Sequence, residues 1–214
     1  RFVRLRAARA WPDIPAETRP QGELLRRLQL PNGNLGWDDA LQLAAAAEPA
    51  GAELRINLEH GLELFGARLF ALPEPLAALE GLPVLVACPG RSSCSKGLVD
   101  TWAVADAIRQ RLAGRPQSAL RIGISGCPNS CAHSAVADIG LIGLRRTQDG
   151  RTVDCFRLLA GGGDGRDDSP AADGGVFTAE EIPAAVERLI GAAPRCSRDL
   201  ASGNGPTIPK ACRP

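Results

Sequence analysis

Two short cysteine pairs, CPGRSSC from Cys88 to Cys94 and CPNSC from Cys127 to Cys131, place the tightest limit on how this chain can fold. Each follows directly on an apolar, β-branched run, GLPVLVA before the first and ALRIGIS before the second, of the kind that forms a buried strand. Strands of an α/β scaffold present ligands from the loops at their carboxyl ends, so both pairs are expected at one edge of a sheet. Neither spacing is the Cys-x2-Cys knuckle typical of structural zinc. Four thiolates without a histidine of matching spacing suit tetrahedral zinc or an iron-sulfur cluster by ligand type alone. Each pair has a proline after its first cysteine and small residues between, which lets backbone amides point at sulfur; spacing and composition together favour a cluster.

The other three of the seven cysteines, Cys155, Cys196 and Cys212, are scattered and read as buried or incidental thiols. No apolar run approaches the roughly 20 residues that span a bilayer, and the start, RFVRLRAARAWPD, lacks the apolar stretch of a signal peptide. The expected setting is therefore a reducing cytoplasm, where thiols bind metals rather than form a disulfide framework. A net charge of +1, from 25 basic and 24 acidic residues, argues against nucleic acid or a polybasic membrane surface as partner. With 214 residues and 44% hydrophobic content the chain can bury one good core, or two small modules sharing an interface. Methionine is absent even at position 1, which suggests a natural protein extending upstream, and no internal duplication is visible.

WDDALQLAAAAE, from Trp37 to about Glu48, has helical spacing, with Asp38 and Asp39 favourable at its start and Pro49 and Gly51 ending it. Alternation at Leu54, Ile56 and Leu58, then His60-Gly61, then Leu62 and Leu64 predicts a hairpin. A short helix follows from Pro73 and Pro75 to about Glu80, so this part reads as half of an α+β sandwich. After the first cysteine pair, Asp100 is placed to cap TWAVADAIRQRLAG, with Trp102, Val104, Ile108 and Leu112 as its buried stripe and Gly114 as its stop. After the second pair, ADIGLIGLRR and TVDCFRLLAGG read as strands joined at Asp149-Gly150. GGGDGRDDSPAADGG reads as a loop or lid, and FTAEEIPAAVERLIG as a last helix opened by a capping box from Thr178 to Glu181. The Pro-, Gly- and Ser-rich tail after Ala193 is expected to fray.

GISGCPNSCAHSAVADIGLIG resembles the siroheme and 4Fe-4S signature of sulfite and nitrite reductases, and VACPGRSSCSKGLVDT resembles its partner segment, in the same order. The resemblance implies an α+β chain: a ferredoxin-like half domain over 17–81, an α/β siroheme-4Fe-4S domain over 82–193, and a flexible tail over 194–214. It implies that Cys88, Cys94, Cys127 and Cys131 bind one 4Fe-4S cluster, that Cys131 also bridges to the siroheme iron, and that Asn129 contacts a siroheme carboxylate. LRINLEHGLEL resembles the arginine-rich strand of the half domain, but Asn57, His60 and Gly61 stand where the family has a Thr and a Gln-Asn pair. Arg55 alone keeps the place of a cationic cofactor contact.

Siroheme carries eight carboxylates, so its pocket needs cations and backbone donors. Arg91 and Lys96, on either side of Cys94, and the Gly161-Gly162-Gly163 run are candidates. His133 reads more simply as a surface or structural residue than as a hydrogen-bond donor near the cluster, and His60, at a hairpin tip, could face either the cofactor or water. Arg55, Arg91 and Lys96 are the candidate catalytic cations, with Arg4, Arg6 and Arg19 as further sources if this chain acts alone. The implied chemistry is reduction of sulfite to sulfide or of nitrite to ammonia, with the cluster passing electrons singly and cations binding the anion. The implied partners are that small inorganic anion, an electron donor protein such as a ferredoxin or flavoprotein, and a second half or subunit supplying distal cations. Two other readings remain: a precorrin-3B synthase-like ring oxidation in cobalamin synthesis, and a non-catalytic iron-sulfur electron-transfer module.

Overall fold

The hairpin expected around His60-Gly61 is the centre of a three-stranded antiparallel sheet in the computed structural model, which describes residues 22–114, 120–162 and 171–192. Its strands are β1 (Glu23–Gln29), β2 (Glu53–Ile56) and β3 (Gly61–Gly66), in the order β1-β3-β2. The spacing in ELLRRLQ gives no alternation from which to expect β1, because apolar and basic residues come in pairs. A bulge between Leu24 and Arg26 absorbs the mismatch and brings Leu28 opposite Leu62. Helices α1 (Trp37–Ala47) and α2 (Glu74–Ala77) cover one face, closing a small core of Leu28, Leu43, Leu64 and Leu76. Helix α2 stops short of the expected Glu80, because Leu79 and Glu80 turn to meet β1: the Gln29 N–H donates to the Leu79 carbonyl at 3.1 Å.

The second sheet has five strands in sequence order: β4 (Val84–Ala87), β5 (Arg121–Ser125), β6 (Ile139–Gln148), β7 (Arg151–Ala160) and β8 (Ala172–Thr178). The first three are parallel and the last two antiparallel. Helix α3 (Thr101–Leu112) connects β4 to β5, and Asp100 caps it, its carboxylate accepting the Trp102 and Ala103 N–H groups at 3.1 Å. Together with α4 (Ile182–Ala192) it packs on Ile122, Ile124, Ile139, Leu141, Phe156 and Leu158. Trp102 is only partly buried; Thr101 and Ala105 take the buried places beside Val104, Ile108 and Leu112. The β6-β7 hairpin turns at Asp149 and Gly150, at φ 50° and 75°, the left-handed pair that a tight two-residue turn requires.

Strand β8 corrects the expectation of a loop through Gly175. Ala172, Asp173 and Gly175 pair with Ala160, Leu159 and Leu158. An edge strand is held by its backbone ladder, so polar residues and glycines that cannot fill a core still form one. Phe177 and Thr178 likewise belong to β8, and the last helix starts at Ile182. The expected capping pair forms the turn between them, the Glu181 carboxylate accepting the Thr178 N–H at 2.8 Å and its hydroxyl at 3.0 Å. These hydrogen bonds hold the Glu181 carboxyl below its ordinary range.

The two sheets meet through Gln29, whose Nε2 donates to the carbonyls of Glu59 (2.9 Å) and Leu85 (3.4 Å), and through Asn32, whose Oδ1 accepts from Arg109 at 3.1 Å. Glu59, in the hairpin tip, also ion-pairs with Arg121 at the start of β5. That contact docks the tip at the end of the larger sheet opposite its carboxyl edge. Among the described residues no helix is long and apolar enough to cross a membrane. Arg4, Arg6, Arg19, Gly163, Cys196, Cys212 and the tail from 194 lie outside the described residues.

Candidate metal centre

Cys88 is the first residue after β4 and Cys127 the second after β5, and the parallel register pairing Ala87 with Ile124 sets these strand ends side by side. The loops are then tied to each other. The Cys88 N–H donates to the Ile124 carbonyl at 3.0 Å, and the Leu98 N–H to the Gly126 carbonyl at 2.9 Å. The Gly126 N–H donates to Cys88 Sγ at 3.1 Å, the kind of backbone contact that stabilises a negatively charged sulfur. Gly126 lies so close to the first loop that a Cβ on it would sit 2.8 Å from Gly90 Cα, so a side chain here would force the pairs apart.

Within the first loop the Cys94 N–H donates to the Gly90 carbonyl at 3.0 Å. Buried Thr101, at the start of α3, gives its hydroxyl to the Cys88 carbonyl. Arg91 closes the outside: its backbone N–H donates to Val99 at 2.9 Å, and its guanidinium grips the Asp154 carboxylate on β7 at 3.1 and 2.9 Å.

The second loop crosses the face of the sheet away from α3, as alternation along β5 requires: Ile122 and Ile124 face the helices, so Gly123 and Ser125 face the loop. Hydroxyls bind it there. The Ala132 N–H donates to Ser125 Oγ at 3.1 Å, which lies 2.8 Å from Ser134 Oγ, itself 3.1 Å from the Gly123 carbonyl and 3.0 Å from the Leu141 carbonyl. Reading the chain as N–H to Ser125 to Ser134 to carbonyl uses each hydroxyl as both acceptor and donor. Under the loop there is no room: a Cβ at Gly123 would lie 2.5 Å from the Ala132 carbonyl oxygen, and one at Gly140 would overlap that of Ser134.

Cys127 is buried and Cys88 half-buried, whereas Cys94 and Cys131 are exposed, so the four-thiol set has a closed side and an open one. Among the described residues no three His, Cys, Asp or Glu groups converge on one point to hold a single metal ion. The Ser130 hydroxyl, between Cys127 and Cys131, is buried with no hydrogen-bond partner. Donor type and that unmatched hydroxyl fit a 4Fe-4S cluster.

The remaining sequence candidates are dispersed. Asn129 and Lys96 are exposed on the two cysteine loops, and Lys96 makes no ion pair among the described residues. Arg91 is engaged with Asp154. Arg55 is on β2, in the other sheet, ion-paired with Glu53 and across from Glu63. His133 is exposed, and so is His60, at the hairpin tip. Gly161 and Gly162 follow β7 and pack on the Ala137–Asp138 backbone, the Gly161 N–H donating to the Asp138 carbonyl at 2.9 Å. Cys155 is buried on β7, and burial pushes its thiol up, away from the reactive thiolate. Sequence reasoning passed over Thr101, Gly126, Ser125, Ser134 and Asp154. For the middle three a local signal exists, the small residues of ISG before Cys127 and Ser134 after Cys131.

Residues 81–192 match the model of the nitrite and sulphite reductase 4Fe-4S domain. The chain belongs to the nitrite and sulphite reductase family. The cofactors this family implies are a 4Fe-4S cluster and siroheme. Among relatives, the chloroplastic ferredoxin–nitrite reductase of Arabidopsis thaliana is 33% identical over 78% of this chain and 32% of its own length. The coenzyme F420-dependent sulfite reductase of Methanocaldococcus jannaschii is 32% identical over 51% of this chain and 20% of its own. The solved structure of Mycobacterium tuberculosis NirA superposes with a TM-score of 0.62 at 21% identity, covering 86% of this chain and 39% of that one. This likeness shows the shared fold. The matched region is thus about a third or less of the length of these curated reductases.

Proposed function

We propose that Cys88, Cys94, Cys127 and Cys131 hold a 4Fe-4S cluster, that Cys131 joins it to siroheme, and that the chain is the cluster-bearing part of a reductase. Its substrate is sulfite, taken to sulfide, or nitrite, taken to ammonia. The observation that carries this reading is the pair of cysteine loops locked together at the carboxyl ends of parallel β4 and β5, with Gly126 donating to Cys88 Sγ. Bound there, the two cofactors would supply electrons to the anion one at a time. The residues divide the remaining work. Cys131, exposed like Cys94, is the thiolate that the family signature assigns to the second cofactor, and its exposure leaves it within reach of one. Asn129 offers an amide to a siroheme carboxylate, and Lys96 an uncommitted ammonium to an anion. Arg91, held by Asp154, fixes the first loop. Arg55 keeps its place as a cationic contact from the ferredoxin-like half domain, which we read over 17–81, ahead of the cluster domain over 82–193.

The relatives' names, ferredoxin–nitrite reductase and coenzyme F420-dependent sulfite reductase, support an electron donor and a small anion as acceptor; for this chain we take the donor to be a ferredoxin or flavoprotein. A second half or subunit would complete the distal cations, and a reducing cytoplasm would keep the four thiols free for the cluster. The test is iron, acid-labile sulfide and visible-spectrum analysis of the purified protein, followed by methyl-viologen-driven loss of sulfite or nitrite. Cys131→Ser is expected to disturb both cluster and siroheme bands, and Cys155→Ser neither. Equal iron content in the wild type and the Cys131 variant would sink the ligand assignment. Siroheme without anion reduction would favour a ring-oxidising relative instead.

A further inference from the structure

Ser130 sits in a backbone conformation that its residue type does not favour. Its φ is 55°, in the left-handed region, where a Cβ is crowded and glycine or asparagine is the usual occupant. Glycine would make the same turn, including the 3.3 Å contact from the Ser130 N–H to the Cys127 carbonyl and the 2.9 Å bond its own carbonyl accepts from His133. The backbone therefore gives no reason for a serine. Its side chain does: Oγ is buried and unpartnered, whereas the neighbouring hydroxyls of Ser125 and Ser134 are both paired. Buried hydroxyls are nearly always paired, so an orphan inside the Cys127–Cys131 turn points to an acceptor that arrives with a ligand.

We infer that Ser130 Oγ–H donates a hydrogen bond to a sulfur of the bound cluster, either a cysteine thiolate or an inorganic sulfide, and so sets how easily the cluster accepts an electron. This rests on the reading that the four cysteines hold a cluster. An added electron makes the sulfurs more negative and the hydrogen bond stronger, so the hydroxyl stabilises the reduced form and raises the reduction potential. Ser130 touches the cluster directly and touches no substrate.

The experiment is an EPR-monitored redox titration of the cluster-loaded protein, with iron and sulfide analysis, in wild type, Ser130→Ala and Ser130→Gly. Alanine removes the hydroxyl and keeps the crowded backbone; glycine removes both. With iron and sulfide retained, both variants are expected to be roughly tenfold harder to reduce, which for one electron is 59 mV. A potential unchanged from wild type in the glycine variant would overturn the inference, because a purely conformational role is then enough. If the alanine variant does not fold, the glycine variant still decides. Wild-type protein without iron and sulfide would instead remove the cluster reading on which the inference stands.

Discussion

The Cys88–Cys94 loop is held from its rim, by the Thr101 hydroxyl from α3 and by the Arg91 grip on Asp154, whereas the Cys127–Cys131 loop is held from beneath. There the buried Ser125 and Ser134 hydroxyls bind it, and glycines at 123 and 140 let it lie directly on the strands. Apart from the buried Thr101 bond, the outer clamp is the half-exposed Arg91–Asp154 ion pair in high dielectric, and the inner one is a desolvated chain of hydrogen bonds over a floor with no spare volume. Attachments of the first kind contribute little and tolerate loss; those of the second kind do not. Cys127, the most buried of the four thiols, belongs to the loop with the less forgiving anchor.

Substitutions in the two anchors should therefore differ in size, and the steepest test is Gly140→Ala. Its Cβ would overlap the Ser134 carbonyl oxygen, a backbone atom that cannot move aside. Overpacking of this kind destabilises by about 3 kcal/mol or more. In a thermal melt that corresponds to a fall of roughly 6–12 °C, and the variant should lose most of its iron. A melt within a degree of wild type would mean that the loop does not rest on the strands.

Ser134→Ala removes the middle of the hydroxyl chain and leaves the buried Ser125 hydroxyl, which still accepts the Ala132 N–H, with no acceptor for its own proton, at a cost of about 1–3 kcal/mol. Reduced iron retention on dilution, with the fold intact by circular dichroism, is the expected signature. Arg91→Ala should do least. Its pair with Asp154 is 46% and 23% exposed, so a loss of about 1 kcal/mol or less is expected, shrinking further in high salt. If Arg91→Ala proved more damaging than Ser134→Ala in urea unfolding, the contrast between the loops would be reversed, and Arg91 would have to act on a bound group instead.

The parts of the site visible in the sequence are those made by contiguous residues. The apolar runs before Cys88 and Cys127, the Asp100 cap and the Asp149-Gly150 turn each act within a few residues of themselves, so their signals are local. Strands β1 and β8 were not legible for the same reason: each is formed by pairing with a ready-made neighbour. The first hides its alternation in a bulge, and the second is an edge ladder of residues that usually mark loops.

By itself, then, the sequence determined which four thiols form the candidate centre, in what order along the chain, and that two buried strands lead into them. Short-range pattern and turn chemistry suffice for that. Only the tertiary structure decided that Gly126 meets Gly90 and caps Cys88 Sγ, that Ser134 reaches carbonyls on two strands, and that Arg91 is committed to Asp154, 63 residues away. Contacts of that separation depend on how strands are laid side by side, and a residue's own neighbours in sequence carry no trace of them.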